Sequence, residues 1–401
     1  MTRAEPSSPA PLTQRPSAPG YPIFHNTVKR FLAMLFLAAL FVPVVGAWRK
    51  WDPSGESHEN RRLATRPSLP RNFKDAMLYS DRWLNFYRDH FGFRNTLIRG
   101  VALTRFHGLG ADTDGHVLIG RNGWLFLRPD GDQNFIAFRG LNPFSEDELD
   151  AWQHVLEQRA AWLAARGIPC LFVIPPNKET IYPEYLSDEV SPIRPPSRLD
   201  QLVEHVRETH SPIHLLDLRP VLLAAKSSGR LYFKTDTHWN DLGAYVAYRA
   251  ILDAAKDLLP NWNIVPQPRS NFVPGKAPVV EGDLARMMDM SDQYPDEWLS
   301  LTRKIPFDVP PGAMDPKGIA VTDLNDPMLP RLVFYHDSFA IALAPMIGPN
   351  FNHVFWSFNY EIDPKVIDRE KPDLFIDEFL ERNLYLDPPT DAAVIRRWGE
   401  H

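Results

Sequence analysis

Residues 234–240 read Lys-Thr-Asp-Thr-His-Trp-Asn, and one residue separates Asp236 from His238. In an extended segment that spacing sends both side chains to the same side of the backbone. The carboxylate can then hold the imidazole ring and stabilise its charged form, which is the base half of a nucleophilic triad. A serine hydroxyl is a weak nucleophile near neutral pH and needs such a base within hydrogen-bond reach. Ser338 lies 100 residues beyond His238, in Tyr335-His336-Asp337-Ser338-Phe339, directly after the apolar run Leu332-Val333-Phe334. A serine just past a buried strand stands where open α/β sheets present reactive groups. The competing reading is a chance Asp-x-His pair, with Ser338 capping a helix.

Acyl chemistry at Ser338 also needs an oxyanion hole. The Ser338 backbone N–H is one expected donor. Asn177, which follows Pro175-Pro176 at another strand end, is the candidate for the second. Lys178 beside it is either a cation for a sugar carboxylate or an ordinary solvated turn residue. Trp239, Trp124, Trp356 and Tyr335 fall near predicted strand ends, and aromatic faces stack well on sugar rings. Such residues are as a rule core; Trp239 stands apart because it adjoins His238. Asp and His also ligate zinc, with His336 and Asp337 as further donors, but no His-x-x-x-His or Cys-x-x-Cys spacing accompanies them. The expectation is no metal and no cofactor, with His336 and Asp337 shaping the turn that presents Ser338. His205, His210 and His214 lie on a helix-to-strand segment without an i,i+4 pair on one helix face, and read as surface.

Short apolar runs alternate with amphipathic stretches along the chain. Ile168 to Ile174, Ile213 to Leu218, Leu332 to Tyr335, Val354 to Ser357 and Asp373 to Asp377 read as strands, and the short apolar run Leu231 to Phe233 feeds the Asp236–His238 loop. Ser145 to Arg166 reads as a helix: Ser145 and Glu148 form a capping-box signature, Leu149, Trp152, Leu156 and Leu163 line one face, and Gly167 stops it. Leu199 to Glu208 and Leu242 to Leu259 are further helices, the second capped by Asn240 or Asp241. Arg71 to Phe91 carries Phe73, Met77, Leu84 and Tyr87 at helical spacing, and Asn95 to Phe106 follows as another helix. A hairpin is expected over Val117 to Leu127, around Arg121-Asn122-Gly123. This alternation predicts an α/β domain with a mostly parallel sheet covered on both faces. Residues 260–330 are rich in proline and read as a loop-like insertion beside the site.

The 401 residues carry a net charge of −6, which gives no electrostatic case for nucleic acid. Cys170 is the single cysteine, so no intrachain disulfide forms, and its apolar neighbours make it a core residue. Residues 1–22, rich in Pro, Ser and Ala, are expected to be disordered. Phe31 to Ala47 is apolar and uncharged, close to the lower limit for crossing a bilayer. The long stretch before it favours an uncleaved signal-anchor over a cleaved signal peptide with Gly46-Ala47 as its small residues. Basic residues flank both ends, so the positive-inside rule orients it weakly. The expected organisation is a disordered cytoplasmic tail over 1–30, a transmembrane signal-anchor over 31–48, a linker over 49–70 and one catalytic domain over 71–390.

Asp-Thr-His-Trp-Asn followed by a later strand and Asp-Ser-Phe resembles the alginate O-acetyltransferase group, the AlgJ/AlgX-like proteins, a permuted branch of the SGNH hydrolase superfamily. Ordinary members place Ser first and Asp-x-x-His near the C-terminus; here the order is Asp, His, Ser, as in that branch. Asp89-His90-Phe91-Gly92-Phe93-Arg94, the Gly120 to Phe126 turn, Gly282-Asp283-Leu284-Ala285 and Lys371-Pro372-Asp373 also have counterparts, as does a Pro-x-Lys-like turn near Lys178. The likeness runs from about Arg71 to Asn383. It implies an SGNH-like three-layer α/β/α fold preceded by one N-terminal transmembrane helix. It further implies an O-acetyltransferase that acetylates hydroxyls of an exopolysaccharide, through Asp236, His238, Ser338 and an acyl-serine. The partners implied are a polysaccharide acceptor and a multi-span membrane O-acyltransferase that relays the acetyl group. The place implied is the inner membrane, spanned once, with the domain in the periplasm. An esterase and a noncatalytic polysaccharide-binding scaffold are the rival readings. The chain ends near Arg397, and the short, anchored family type is expected rather than the longer one with a carbohydrate-binding module.

Overall fold

A run of apolar residues buried on both faces of a sheet has no polar side to expose, and the predicted runs become strands on that basis. The structure is a computed structural model that describes residues 24–49, 63–109, 116–128, 133–187, 190, 196–277, 281–307, 319–386 and 388. In chain order the strands are β1 (Val117–Ile119), β2 (Leu125–Leu127), β3 (Cys170–Ile174), β4 (His214–Asp217), β5 (Phe272–Ala277) and β6 (Trp298–Arg303). They continue with β7 (Ile319–Asp323), β8 (Arg331–Tyr335), β9 (His353–Ser357) and β10 (Leu374–Glu378). Six of them form one sheet in the order β4-β3-β10-β8-β9-β7, parallel except for β7 at the edge.

The period of two along each strand sorts the core into two layers. Cys170, Phe172 and Ile174 join Val333, Tyr335, Phe355 and Phe375 on one face, under Trp152, Leu156 and Leu163 of the helix Glu146–Ala164. Leu171, Val173, Leu332, Phe334, Val354 and Ile376 face the other way, against Ala244, Tyr248, Ile251 and Ala255 of the helix Asp241–Leu258. The result is a three-layer α/β arrangement around a mostly parallel sheet. Helix starts follow the expected chemistry: Ser145 and Glu148 form a capping box, and Asn240 Oδ1 accepts the N–H groups of Leu242 and Gly243. The β1–β2 hairpin turns through Asn122 and Gly123 at φ 55° and 77°, the left-handed region that Asn and Gly tolerate.

The chain divides into two compact units, Met1–Ser57 with Arg61–Ile98 and His58–Asn60 with Arg99–His401. In the first, the helix Phe24–Arg49 contains the apolar run and starts seven residues earlier than the run itself. Its stretch Thr27–Arg49 contains an 18-residue window of mean hydropathy 2.4 and is long and apolar enough to cross a membrane, a property shared with signal sequences. The expected disordered tail up to residue 23, and residues 50–62 of the expected linker, lie outside the described residues. The helix Phe73–His90 forms as its spacing predicts, but Phe73, Met77, Leu84 and Tyr87 are all exposed, so the apolar stripe covers no core.

Leu231 to Phe233 leads into the Asp236–His238 loop, with Tyr232 making a single bridge to Trp239 and the residues between them bent. One expectation needs correction. Residues 260–330 hold more than loop. β5 and β6 pair as a two-stranded antiparallel sheet, and β7 supplies the edge of the main sheet. Pro274 and Gly275 break the apolar alternation of β5, and β7 buries only the small Ala320 and Thr322, so neither announces itself by hydrophobicity.

Arg159 is buried between the Asp377 carboxylate and the Tyr360 carbonyl, with both charged side chains 1 % exposed. Removing one member of such a pair leaves a buried charge without its counterion. Arg159→Leu should lower the unfolding free energy by about 3–5 kcal/mol in urea titration followed by circular dichroism.

Candidate active site

Ser338 opens the 3-10 turn Ser338–Ala342, directly past the carboxyl end of β8. The preceding residue, not Ser338, caps that turn: Asp337 Oδ1 accepts the Phe339 N–H at 2.9 Å. Asp337 Oδ2 accepts the Leu380 N–H at 3.1 Å, and the Asp337 N–H donates to Glu378 Oε2 at 2.8 Å. The turn carrying the hydroxyl is thereby tied to the end of β10. His336 is buried beneath it, its Nδ1 2.8 Å from the Asp337 carbonyl.

Asp236 and His238 meet through a bend rather than an extended segment. Asp236 Oδ1 accepts the His238 backbone N–H at 2.9 Å and lies 2.7 Å from His238 Nδ1. An Asp side chain that bonds the backbone two residues on is a common turn device, and here it also aims the ring. His238 Nε2 is 2.8 Å from Ser338 Oγ. With Nδ1–H donated to Asp236, the Nε2 lone pair faces the serine hydroxyl, the tautomer a base requires.

Asp283 forms a second layer. Its N–H donates to Asp236 Oδ2 at 2.9 Å, while its carboxylate accepts the Thr237 N–H at 2.8 Å and the Thr237 hydroxyl at 2.6 Å. Its Oδ2 is 3.8 Å from His238 Nδ1. The ligand atoms of Asp236, His238 and Asp283 lie within 4.8 Å of one another, a spacing open to a metal ion. Yet the oxygens of both carboxylates accept N–H or O–H donors, which makes the group a hydrogen-bonded relay.

The charges follow from these contacts. Burial disfavours the Asp236 anion, but the His238 hydrogen bond and charge outweigh it and hold the carboxyl at about 2. Burial lowers the His238 pKa, and the Asp236 hydrogen bond with the Asp236 and Asp283 charges raises it above the usual imidazole value. Burial and the Asp236 charge push Asp283 up.

Lys178 is neither a solvated turn residue nor exposed to a ligand. It is 3 % exposed, and its Nζ donates to the carbonyls of Phe233, Lys234 and Asp236 at 3.2, 3.1 and 2.7 Å. Burial brings its pKa down to about 8. Asn177 also misses the serine: its N–H goes to Glu381, and it lines a separate cleft with Arg382 and Tyr385. Tyr335 is 1 % exposed on the opposite face of the sheet, its hydroxyl accepting the Asp363 N–H. Trp124 stacks on Tyr185 in the core, and Trp356 is buried. Trp239 does reach the site: it lines the cavity, and its indole N–H donates to the Phe339 carbonyl at 3.1 Å. A cavity of about 520 Å³ opens over Asp236, His238 and Ser338.

Asp283 and Asp296 had no assigned role in the sequence. Asp283 appears only within Gly282-Asp283-Leu284-Ala285, where a Gly-Asp pair before an apolar stretch signals a helix start. Gly282 is required there, since a Cβ would stand 2.1 Å from the Thr235 carbonyl oxygen. Asp283→Asn keeps one acceptor, for the Thr237 N–H, and turns its NH2 to the Thr237 hydroxyl, which can accept; the charge near His238 Nδ1 is removed. The His238 ring protons, followed by NMR titration, should then reach their midpoint at lower pH than in the parent protein.

Residues 117–308 match the family model described as "SGNH hydrolase-like domain, acetyltransferase AlgX". That span contains Asp236, His238 and Asp283, and Ser338 lies beyond it. Over 140 residues the chain is 31 % identical to the "Probable alginate O-acetylase AlgJ" of Pseudomonas putida, covering 34 % of this chain and 33 % of that protein. Over 187 residues it is 28 % identical to the Pseudomonas aeruginosa protein of the same description, covering 46 % and 43 %. The chain thus spans between about a third and under a half of the length of these curated relatives. Among solved structures, the O-acetyltransferase domain of Pseudomonas putida AlgJ aligns at TM-score 0.46 and 20 % identity, over 71 % of this chain and 98 % of that one. Over residues 117–308 the chain is thus similar to the SGNH hydrolase-like domain described for AlgX, and over part of its length to proteins described as probable alginate O-acetylases.

Proposed function

We propose that this protein is an O-acetyltransferase that acetylates hydroxyls of an exopolysaccharide of the alginate type, with Ser338 as the acyl carrier. The observation that carries the reading is the position of His238, 2.7 Å from Asp236 and 2.8 Å from Ser338. The similarity to proteins described as alginate O-acetylases supports the acyl group and the acceptor class.

Ser338 Oγ attacks the carbonyl carbon of an acetyl ester while His238 Nε2 takes its proton. The bond to the leaving oxygen breaks, and that oxygen takes the proton from the imidazolium. Asp236 stabilises the imidazolium and holds the ring in place. A sugar hydroxyl then gives its proton to His238 and attacks the acyl-serine carbonyl; the bond to Ser338 Oγ breaks, Oγ takes the proton back from the imidazolium, and the acetylated sugar leaves. The Ser338 N–H serves as one donor to the oxyanion.

Ser338→Ala should lower acetyl-ester turnover on the order of 10³-fold or more with an unchanged circular dichroism spectrum. Acetate released and acetyl transferred to an oligosaccharide are measured together, since transfer distinguishes this reading from hydrolysis. A folded Ser338→Ala protein with parental activity would remove Ser338 from the mechanism.

The helix Phe24–Arg49 would anchor the protein in the inner membrane with the domain in the periplasm. There a multi-span membrane O-acyltransferase would deliver the acetyl group. N-terminal sequencing of the membrane-extracted protein should find residues 31–47 retained; a mature chain starting near Trp48 contradicts the anchor.

A further inference from the structure

The cavity over Ser338 is far larger than an acetyl group requires. Its volume of about 520 Å³ lies in the range of pockets that bury whole organic ligands. Beyond the serine its wall is apolar. Ile341, Ala342, Pro345 and Met346 come from the turns that follow Ser338, and Leu301 and Phe307 come from β6 and the residues after it. The remaining polar lining is mostly acidic: Asp241, Asp296 and Glu297 are present, and among the described residues no Lys or Arg lines the cavity. Asp296 is already paired with Arg230, and Asp241 accepts the Leu301 N–H. A neutral alkyl chain gains on the apolar walls.

We propose that this cavity is an acyl-chain pocket and that Ser338 accepts acyl groups longer than acetyl, to at least hexanoyl. The proposal rests on the reading of Ser338 as the nucleophile. The transfer has the same balance as for acetyl. The Ser338 Oγ–carbon bond forms as the ester's carbon–oxygen bond breaks, and the serine proton passes through His238 to the leaving oxygen. The alkyl chain then extends past Ala342 towards Met346.

The test uses the full-length protein in detergent with p-nitrophenyl acetate, butyrate and hexanoate. Adducts are mapped by mass spectrometry, and kcat/KM is measured for each ester. A fully buried methylene favours binding by about fourfold, so hexanoate should exceed acetate by tenfold or more. The hexanoyl adduct should map to Ser338 and be lost in Ser338→Ala. Ala342→Trp, which fills the pocket beside the serine, should lower the hexanoate-to-acetate ratio at least tenfold; Ala342→Leu does so more mildly if the larger residue disturbs folding. Acetyl adducts on Ser338 with acetate preferred over hexanoate would overturn the pocket and leave the nucleophile standing. A hexanoate preference that a folded Ala342→Trp protein keeps in full would also overturn it. No adduct on Ser338 from any ester would bring down the nucleophile reading, and this proposal with it.

Discussion

The site depends on holding a turn that has no secondary structure of its own. Residues 234–238 bend without forming helix or strand, so their backbone groups must find partners elsewhere. One ammonium group, on Lys178, gathers three of the carbonyls around this turn. Asp296 accepts the N–H groups of Lys234 and Thr235, and Asp283 accepts that of Thr237. A lysine buried this deeply is costly, and burial outweighs the pull of Asp283, Asp236, Glu179 and Asp296 to bring its pKa to about 8. The return is preorganisation. These contacts hold the His238 ring in place, which is the preorganisation that the proposed acyl transfer would use.

The buried acids of the site respond to pH in opposite directions. Asp236 is held at about 2, below its unfolded value. Its contribution to stability is therefore present above the ordinary carboxylate range and is lost as pH falls towards 2. Glu378, under the serine turn, is raised well above the ordinary value by burial and by the Asp337 charge. Its contribution is present below the unfolded carboxylate pKa and is lost as pH rises through the folded one. His238 and Asp283, also raised, are favoured by acid in the same way, so of these four groups Asp236 alone loses its contribution on acidification.

Much of this was legible in the sequence where one residue type has one physical use. Ser145 with Glu148, Gly167 and the apolar run Ile168 to Ile174 announced a helix, its stop and a buried strand, and all three stand within a residue or two of where they were expected. Asp236, His238 and Ser338 could be paired because motif order constrains them across 100 residues. What failed were residues whose role is set by a distant partner. Lys178 looked like a surface lysine, since nothing local shows that it ends among carbonyls 55 to 58 residues away. Asn177 sat at a plausible strand end, but the cleft there faces Glu381 and Arg382. Asp283 is 46 positions from the Thr237 that it holds.

The chain order Asp, His, Ser works because the helix that covers the sheet also carries the histidine arm. Asn240, two residues past His238, caps the helix Asp241–Leu258, so the turn is continuous with that helix. The helix buries Ala244, Tyr248, Ile251 and Ala255 against the same face of the sheet that holds Leu332 and Phe334 of β8. Its first turn comes so close to the Leu231 carbonyl that a Cβ on Gly243 would lie 2.3 Å from the oxygen. Trp239 closes the remaining gap by donating its indole N–H to the Phe339 carbonyl, one residue past Ser338. Packing of one helix on one strand therefore sets the distance from His238 to Ser338. A relay fixed in this way depends on where loops end and not on the order in which the chain reaches them.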